Sequence, residues 1–481
     1  MGANSLDRQH FFIGGEWVKP SSDRTFTLTD ASTEETLATV PEGQNADIDR
    51  AVAAARSAFE SSAWRDMAPA DRAALLRRFD AALQKRKDDL ALAVSRQNGM
   101  PMWLSSAFEA GIALSMVNFY ADLIEAPQAQ DRRGAQLGRE TLVSKVPMGV
   151  IAAIVPWNYP IALAISKIAP ALAAGCTIVI KPSPGTVLDS YLMAEAAIEA
   201  GLPPGVINWV AADRDVGAYL VSHPGVDKVA FTGSTAAGRI IARECGQLLR
   251  PVTLELGGKS AAVVLEDADL SVLQERLPMA SLLNNGQTCF NSTRILAPQS
   301  RYAEVVDAIA STVTGLKVGE AVDLNTQVGP MASAAHRQRV EGYIETGRKE
   351  GRLVVGGDRP KDHGRGYFVT PTVFADVDND ATIAREEIFG PVLAVIPYRD
   401  EDDAVRIANA SEFGLGGTVW GKDEAHACAV ADRIITGTVG INGYAPAIGS
   451  PFGGVKASGI GRELGPEALN GYYHWKSTYL M

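Results

Sequence analysis

The stretch Pro147-Met148-Gly149-Val150-Ile151-Ala152-Ala153-Ile154-Val155-Pro156-Trp157-Asn158-Tyr159-Pro160 decides how the chain is read. A short apolar run, Gly149–Val155, stops at a turn fixed by two prolines. Ile161–Ala174 then repeats apolar residues at helical spacing. The rhythm continues with strand Thr177–Ile180, helix Thr186–Ala200, strands Val206–Val210 and Val229–Phe231, and a helix from Ser234. Strands and helices alternating in this way predict a parallel sheet covered by helices on both faces.

Outward from this core, a second α/β series begins near Leu256. It holds helix Leu270–Asn285, strand Thr293–Leu296, helices Ala332–Glu350 and Glu401–Asn409, and strand Thr418–Trp420. Towards the N-terminus, apolar runs flank Gly14-Gly15 and predict a hairpin over Phe11–Val18. Helical patterns cover Ala46–Ser61, Ala70–Gly99 and Pro101–Ile124. Ala126–Gly138 is polar, and Glu140–Val146 reads as a strand, together a protruding hairpin or linker.

With 481 residues, about three domains are expected. The 45 Lys and Arg against 56 Asp and Glu give −11, which argues against a nucleic-acid or anionic-membrane surface. The start, Met1 to His10, lacks a signal-peptide core, and Leu6 breaks the lipidation pattern that Gly2 would open. The apolar run Ile161–Ile180 contains Lys167 and Pro170 and reads as a helix followed by a buried strand. Four cysteines without a CxxC pair fit a reducing cytoplasm, and six scattered histidines offer no zinc pattern.

Four segments can carry chemistry. Asn284-Asn285-Gly286-Gln287-Thr288-Cys289-Phe290 places a cysteine just after a helix, either a nucleophile or an inert buried thiol. Cys176, Cys245 and Cys428 read as inert and buried. Leu254-Glu255-Leu256-Gly257-Gly258-Lys259-Ser260 sets an acid at a strand end between leucines, a general base or an outward-facing surface glutamate. Its Gly-Gly-Lys-Ser hints at a phosphate loop, but Thr253 stands where that motif needs glycine. Phe231-Thr232-Gly233-Ser234 opens a helix and suits a phosphate. Asn158 is either an oxyanion donor or a plain helix cap.

Together with Lys181-Pro182-Ser183, Glu386-Glu387-Ile388-Phe389-Gly390-Pro391-Val392, Pro451-Phe452-Gly453-Gly454 and Gly459-Ile460-Gly461-Arg462-Glu463, these segments resemble the NAD(P)-dependent aldehyde dehydrogenase superfamily in order and spacing. The resemblance implies an α/β aldehyde dehydrogenase fold. Its Rossmann-like cofactor domain would comprise residues 1–125 and 147–255, and its α/β catalytic domain residues 256–450. A small β oligomerisation arm with the C-terminal segment would comprise 126–146 and 451–481.

The implied reaction oxidises an aldehyde to its acid with NAD(P)+, through a thiohemiacetal and a thioester on Cys289. Asn158 and the Cys289 N–H would hold the oxyanion, Glu255 would activate water, and Lys167 would relay protons. The cofactor would lie on Pro156, Trp157, Lys181, Ser183, Pro184, Gly233, Ser234, Leu256, Glu387 and Phe389. Pro184 departs from relatives that carry a ribose-binding glutamate there, which leaves NADP open beside NAD. The aldehyde tunnel would be formed by Tyr159, Leu163, Ser166, Thr288, Phe290, Ala447 or Ile448, and Phe452. It would be apolar, roomy at Ser166, and suited to an uncharged aliphatic or aromatic aldehyde. The resemblance further implies a homodimer or homotetramer and no metal. The rivals are a CoA-acylating dehydrogenase, a phosphate-loop enzyme and a non-catalytic binding protein of the same fold.

Overall fold

The computed structural model describes residues 6–126 and 130–481. The Gly2 reading and part of the 126–146 segment therefore lie outside the described residues. Eight strands form the first sheet, in the order Gly459–Ile460, Val252–Glu255, Lys228–Thr232, Val150–Ile154, Thr177–Lys181, Ile207–Trp209, Phe11–Ile13, Glu16–Val18. The five central strands are parallel. Val150–Ile154 comes first in sequence among these five but sits between Lys228–Thr232 and Thr177–Lys181. Strand order therefore reverses there. A crevice opens at the carboxyl ends of strands on either side of such a reversal, where the chain carries Pro156–Asn158 and Gly233-Ser234.

A second sheet has seven strands, in the order Arg352–Val355, Thr372–Ala375, Val392–Tyr398, Arg294–Pro298, Ala261–Val264, Gly417–Trp420, Gly440–Ile441. All its pairings are parallel except the first. Residues 256–260 run from the carboxyl end of Val252–Glu255 to the start of Ala261–Val264. The two sheets thus meet end to end, and the candidate site lies at that seam. Asp131–Gly134, Glu140–Pro147 and Tyr473–Leu480 form a separate antiparallel sheet.

Several expectations need correction. Ala70–Gly99 is two helices, Pro69–Gln84 and Lys87–Asn98. No glycine or proline marks the break; Arg86 stabilises it by donating to the Ala82 carbonyl. The helix over Leu270–Asn285 ends at Ser281, because Asn284 and Asn285 adopt φ of 52° and 60°. Gly459–Ile460, in the C-terminal segment, pairs with Val252–Glu255 at the edge of the first sheet. Cys428 is exposed, whereas Cys176 and Cys245 are buried.

The helical stretch Met102–Glu125 is long and apolar enough to cross a membrane by composition. Here it packs on Pro69–Gln84 and Pro160–Ala174 and buries Leu114, Val117, Tyr120 and Ala121. Its segment Ser105–Ile112 is a π-helix, a widened turn often found at functional sites.

Candidate active site

Backbone crowding sets the seam. A Cβ on Gly257 would lie 2.5 Å from Glu387 Oε2, and one on Gly258 would lie 2.4 Å from the Cys289 carbonyl oxygen. Only glycines let the crossing segment pass both groups. Gly258 N–H donates to Glu387 Oε1 at 2.9 Å. This use of Gly258, with Lys259 buried beneath, removes the phosphate-loop reading. Burial pushes the Lys259 ammonium down to about 7.

The loop bearing Cys289 is held by amides. Asn tolerates the left-handed region better than other side-chain-bearing residues, which suits positions 284 and 285. Asn285 Nδ2 donates to the Gly99 and Pro330 carbonyls, and its Oδ1 accepts from Gly329 N. Asn98 and Asn284 both donate to the Asn158 carbonyl, at 3.2 and 2.9 Å. Asn158 Nδ2 donates to the Gln287 carbonyl at 3.1 Å, and its second N–H has no partner among the described residues. Thr288 Oγ1 donates to the Leu283 carbonyl, so Tyr159 OH donates to Thr288 at 2.7 Å. The Asn158 cap reading is not met: the N-cap of Pro160–Ala174 is Tyr159.

Two cavities converge here. One is lined by Pro156, Trp157, Asn158, Thr232, Gly233, Ser234, Glu255, Leu256, Gly257, Cys289, His336, Arg339, Glu387 and Phe389. The other takes Asn158, Tyr159, Leu163, Ser166, Thr288, Cys289, Phe290, Ile448 and Phe452, with Phe108, Ile112, Ala113 and Met116 from the N-terminal helices. Cys289 and Asn158 belong to both. Of the alternatives at 447 and 448, Ile448 lines the tunnel and Ala447 a neighbouring cavity.

The first cavity fits a dinucleotide. Ser234 caps the 13-residue helix Thr235–Gln247, whose first-turn N–H groups at Thr235 and Ala236 have no partner among the described residues. Such a helix start favours an anion. Trp157 and Phe389 meet edge-on at 5.4 Å, giving aromatic walls. Ser183 lies in an adjoining part of the cleft, with Trp157 and Arg339. Lys181 is buried, and its ammonium donates to the Pro182 and Ala212 carbonyls, leaving one N–H. Burial lowers its pKa to about 8. Pro184 is half-buried in the same loop.

Burial raises the Cys289 thiol well above its ordinary value, helped by the Glu387 and Glu255 charges. Glu255 is 3% exposed, and neither carboxylate oxygen has a partner among the described residues. Burial and the neighbouring Glu463 push its pKa up. Burial also raises Glu387 to about 7. A nucleophilic role for Cys289 or a basic role for Glu255 would require loss of a proton, so the reactive forms would grow as pH rises. Activity is expected to climb from pH 7 towards pH 9, by up to about tenfold per unit where one ionisation governs. A kcat/KM profile that falls over that range would contradict this.

Lys167 is neither solvated nor free. It is fully buried, and its three N–H bonds go to Glu463 Oε1 at 2.6 Å, Thr232 Oγ1 at 2.7 Å and the Leu163 carbonyl at 3.2 Å. Sequence reasoning missed His336 and Arg339 on the cofactor side. They sit in the helix Ala334–Glu350, whose pattern reads as an ordinary amphipathic surface. It also missed Glu463 in the tunnel wall, so that wall does carry one charge, although Lys167 pairs it. Among the described residues no group of three His, Cys, Asp or Glu is placed to hold a metal ion.

A cleft that fits a dinucleotide and an apolar tunnel converge on one cysteine, an arrangement suited to an oxidoreductase. The chain belongs to the aldehyde dehydrogenase family: the model described as "Aldehyde dehydrogenase family" matches residues 17–478. It is 60% identical to a geranial dehydrogenase of Castellaniella defragrans, over 99% of this chain and 100% of that one. The structure superposes on a Mycobacterium tuberculosis aldehyde dehydrogenase complexed with NAD+ with a TM-score of 0.97, at 45% identity, covering 100% and 99% of the two chains. A Pseudomonas syringae aldehyde dehydrogenase C mutant complexed with NAD+ and octanal gives 0.95, at 39% identity, covering 99% and 98%. The protein is an NAD(P)-dependent aldehyde dehydrogenase.

Proposed function

We propose that the enzyme oxidises an extended, uncharged aldehyde such as geranial, releasing the free acid by hydrolysis. The sharing of Cys289 and Asn158 between the cofactor cleft and the apolar tunnel carries this reading. Cys289 gives its thiol proton to solvent, its sulfur bonds to the aldehyde carbon, and the second N–H of Asn158 Nδ2 and the Cys289 N–H receive the developing oxyanion. Bound NAD+ supplies the hydride acceptor. The thiohemiacetal carbon loses hydride and becomes a thioester. Glu255 takes a proton from water, whose oxygen displaces the sulfur; Lys167 conveys protons from the site. The unpartnered Glu255 carboxylate favours water over CoA as acyl acceptor. NADH formation from geranial, octanal, phenylacetaldehyde and betaine aldehyde, with and without CoA, tests the reading. The apolar aldehydes should react without CoA; dependence on CoA, or preference for the cationic aldehyde, would overturn it.

Cofactor choice turns on Pro184, which offers neither charge nor acceptor. A charged hydrogen bond to the ribose hydroxyls is worth about 1.5–3 kcal/mol, or roughly tenfold to a hundredfold. NAD is expected to be preferred, with measurable NADP activity. Pro184→Glu should raise the NAD/NADP ratio of kcat/KM. A wild type that rejects NADP by several orders of magnitude would place selectivity elsewhere.

The three-stranded sheet exposes Trp475 and Tyr479. This supports assembly into a homodimer or homotetramer through the arm, which light scattering would resolve. Four unpaired thiols, one of them exposed, support a reducing cytoplasm.

A further inference from the structure

The tunnel wall contains one charged group, and its surroundings are unusually well defined. Glu463 is 4% exposed. Its backbone is pinned to Phe452 by two hydrogen bonds, Phe452 N to Glu463 O at 2.7 Å and Glu463 N to Phe452 O at 2.8 Å. Its carboxylate faces groups from several elements. Lys167 meets Oε1 from the helix Pro160–Ala174. Glu255, Lys228, Tyr120 and Tyr472 feel its charge from other elements, and Arg462 precedes it in the chain. Oε2 has a different partner. Ser166 Oγ reaches it at 2.9 Å.

Proton counting makes this contact informative. Ser166 has one hydroxyl proton and two acceptors in range, Glu463 Oε2 and the Leu163 carbonyl at 3.1 Å. Of the two acceptors, the Glu463 oxygen is the closer. Lys167 has spent all three donors, one of them on Glu463 Oε1. Lys167 therefore has no N–H left for Oε2, which otherwise faces an apolar cavity. Thr232 accepts from Lys167, so its own proton is free in the cofactor cleft, one strand over from Glu255. A continuous polar line thus runs from Ser166 through Glu463 and Lys167 to Thr232, beside the Glu255 carboxylate.

We propose that Ser166 is a positioning residue: its hydroxyl locks the Glu463 carboxylate against Lys167, and this fixed pair serves the hydrolysis half of the reaction rather than substrate binding. The proposal rests on the reading that Glu255 activates water and that protons leave along Lys167. A serine at this place has two effects. It leaves room in the tunnel that a larger side chain would fill, and it turns its only polar atom away from the substrate. An apolar aldehyde then meets no unpaired donor there, and Glu463 cannot swing into the tunnel to meet it.

The test compares wild type, Ser166→Ala and Ser166→Thr in stopped-flow NADH measurements with NAD+ and octanal. Quenched-flow release of the acid is followed in parallel, and thermal unfolding checks that each variant folds. In Ser166→Ala the first NADH burst should keep its rate and amplitude. kcat/KM for octanal, which reports the steps up to the acyl-enzyme, should change by less than about twofold, so that KM falls together with kcat. Steady-state kcat should fall by about tenfold, the value of one charge-assisted hydrogen bond, with acyl-enzyme accumulating. Ser166→Thr keeps the hydroxyl and should restore kcat, even if its methyl raises KM. An unchanged kcat, a change confined to KM, or equal slowing of burst and steady state would overturn the proposal, as would a threonine variant that behaves like alanine. Absence of any NADH from wild type would instead defeat the dehydrogenase reading itself.

Discussion

Cys289→Ala should lower aldehyde oxidation by about 10⁴-fold or more, the scale of removing a covalent nucleophile. The effect should be this large because no second thiol can substitute. Cys176 and Cys245 are buried away from both cavities, and Cys428 lies on the surface. The fold should survive, since the loop is held by other side chains. Asn285, Gln287 and Thr288 carry that duty. Dinucleotide binding, read by quenching of Trp157 in the cleft, should stay within a fewfold of wild type. Residual turnover at a few per cent would assign the chemistry to another group.

Glu255→Gln should give the second largest effect, about 10²–10⁴-fold on steady-state kcat, the usual range for loss of a general base. Glutamine preserves shape but cannot take a proton from water. Attack by sulfur and loss of hydride precede that need, so a burst of about one NADH per active subunit should remain. The unpartnered carboxylate also bears on stability. An ionised carboxylate in an apolar site is costly, and Glu255 retains its proton when folded to higher pH than in the unfolded chain. That difference opposes folding as pH rises above the ordinary carboxylate range. Glu255→Gln removes it, so the variant should melt at a higher temperature than wild type at pH 8. Equal melting temperatures would show that the site already accommodates the charge.

Local sequence made the core of the site legible. Strand-turn-helix punctuation at Pro156–Pro160 and at Thr232–Ser234 marked two turns, and the reversal of strand order brings them together in one cleft. Glu255 and Cys289 were legible because each adjoins glycines that the seam requires. What stayed hidden depends on contacts distant in sequence. Lys167 and Glu463 are 296 residues apart, and neither segment signals the other. The helix Met102–Glu125 shows its amphipathic period, but nothing in that period says that Phe108, Ile112 and Ala113 line a cavity rather than pack into a core. Arg339 is likewise one arginine among several on a polar helix. The break at Lys85-Arg86 left no mark, because no breaker residue sits there: Arg86 donates to the Ala82 carbonyl, and both residues pair with the distant Glu199.

In the proposed mechanism, carbon from the aldehyde becomes bonded to Cys289 as an acyl group that water, activated by Glu255, removes. Intact and peptide mass spectrometry of Glu255→Gln, acid-quenched after mixing with NAD+ and octanal, measures this directly. The expected result is one adduct per chain, with the mass of octanal less two hydrogens, on the peptide containing Cys289 and in step with the NADH burst. NADH formed without that adduct, or an adduct on any other residue, would contradict it.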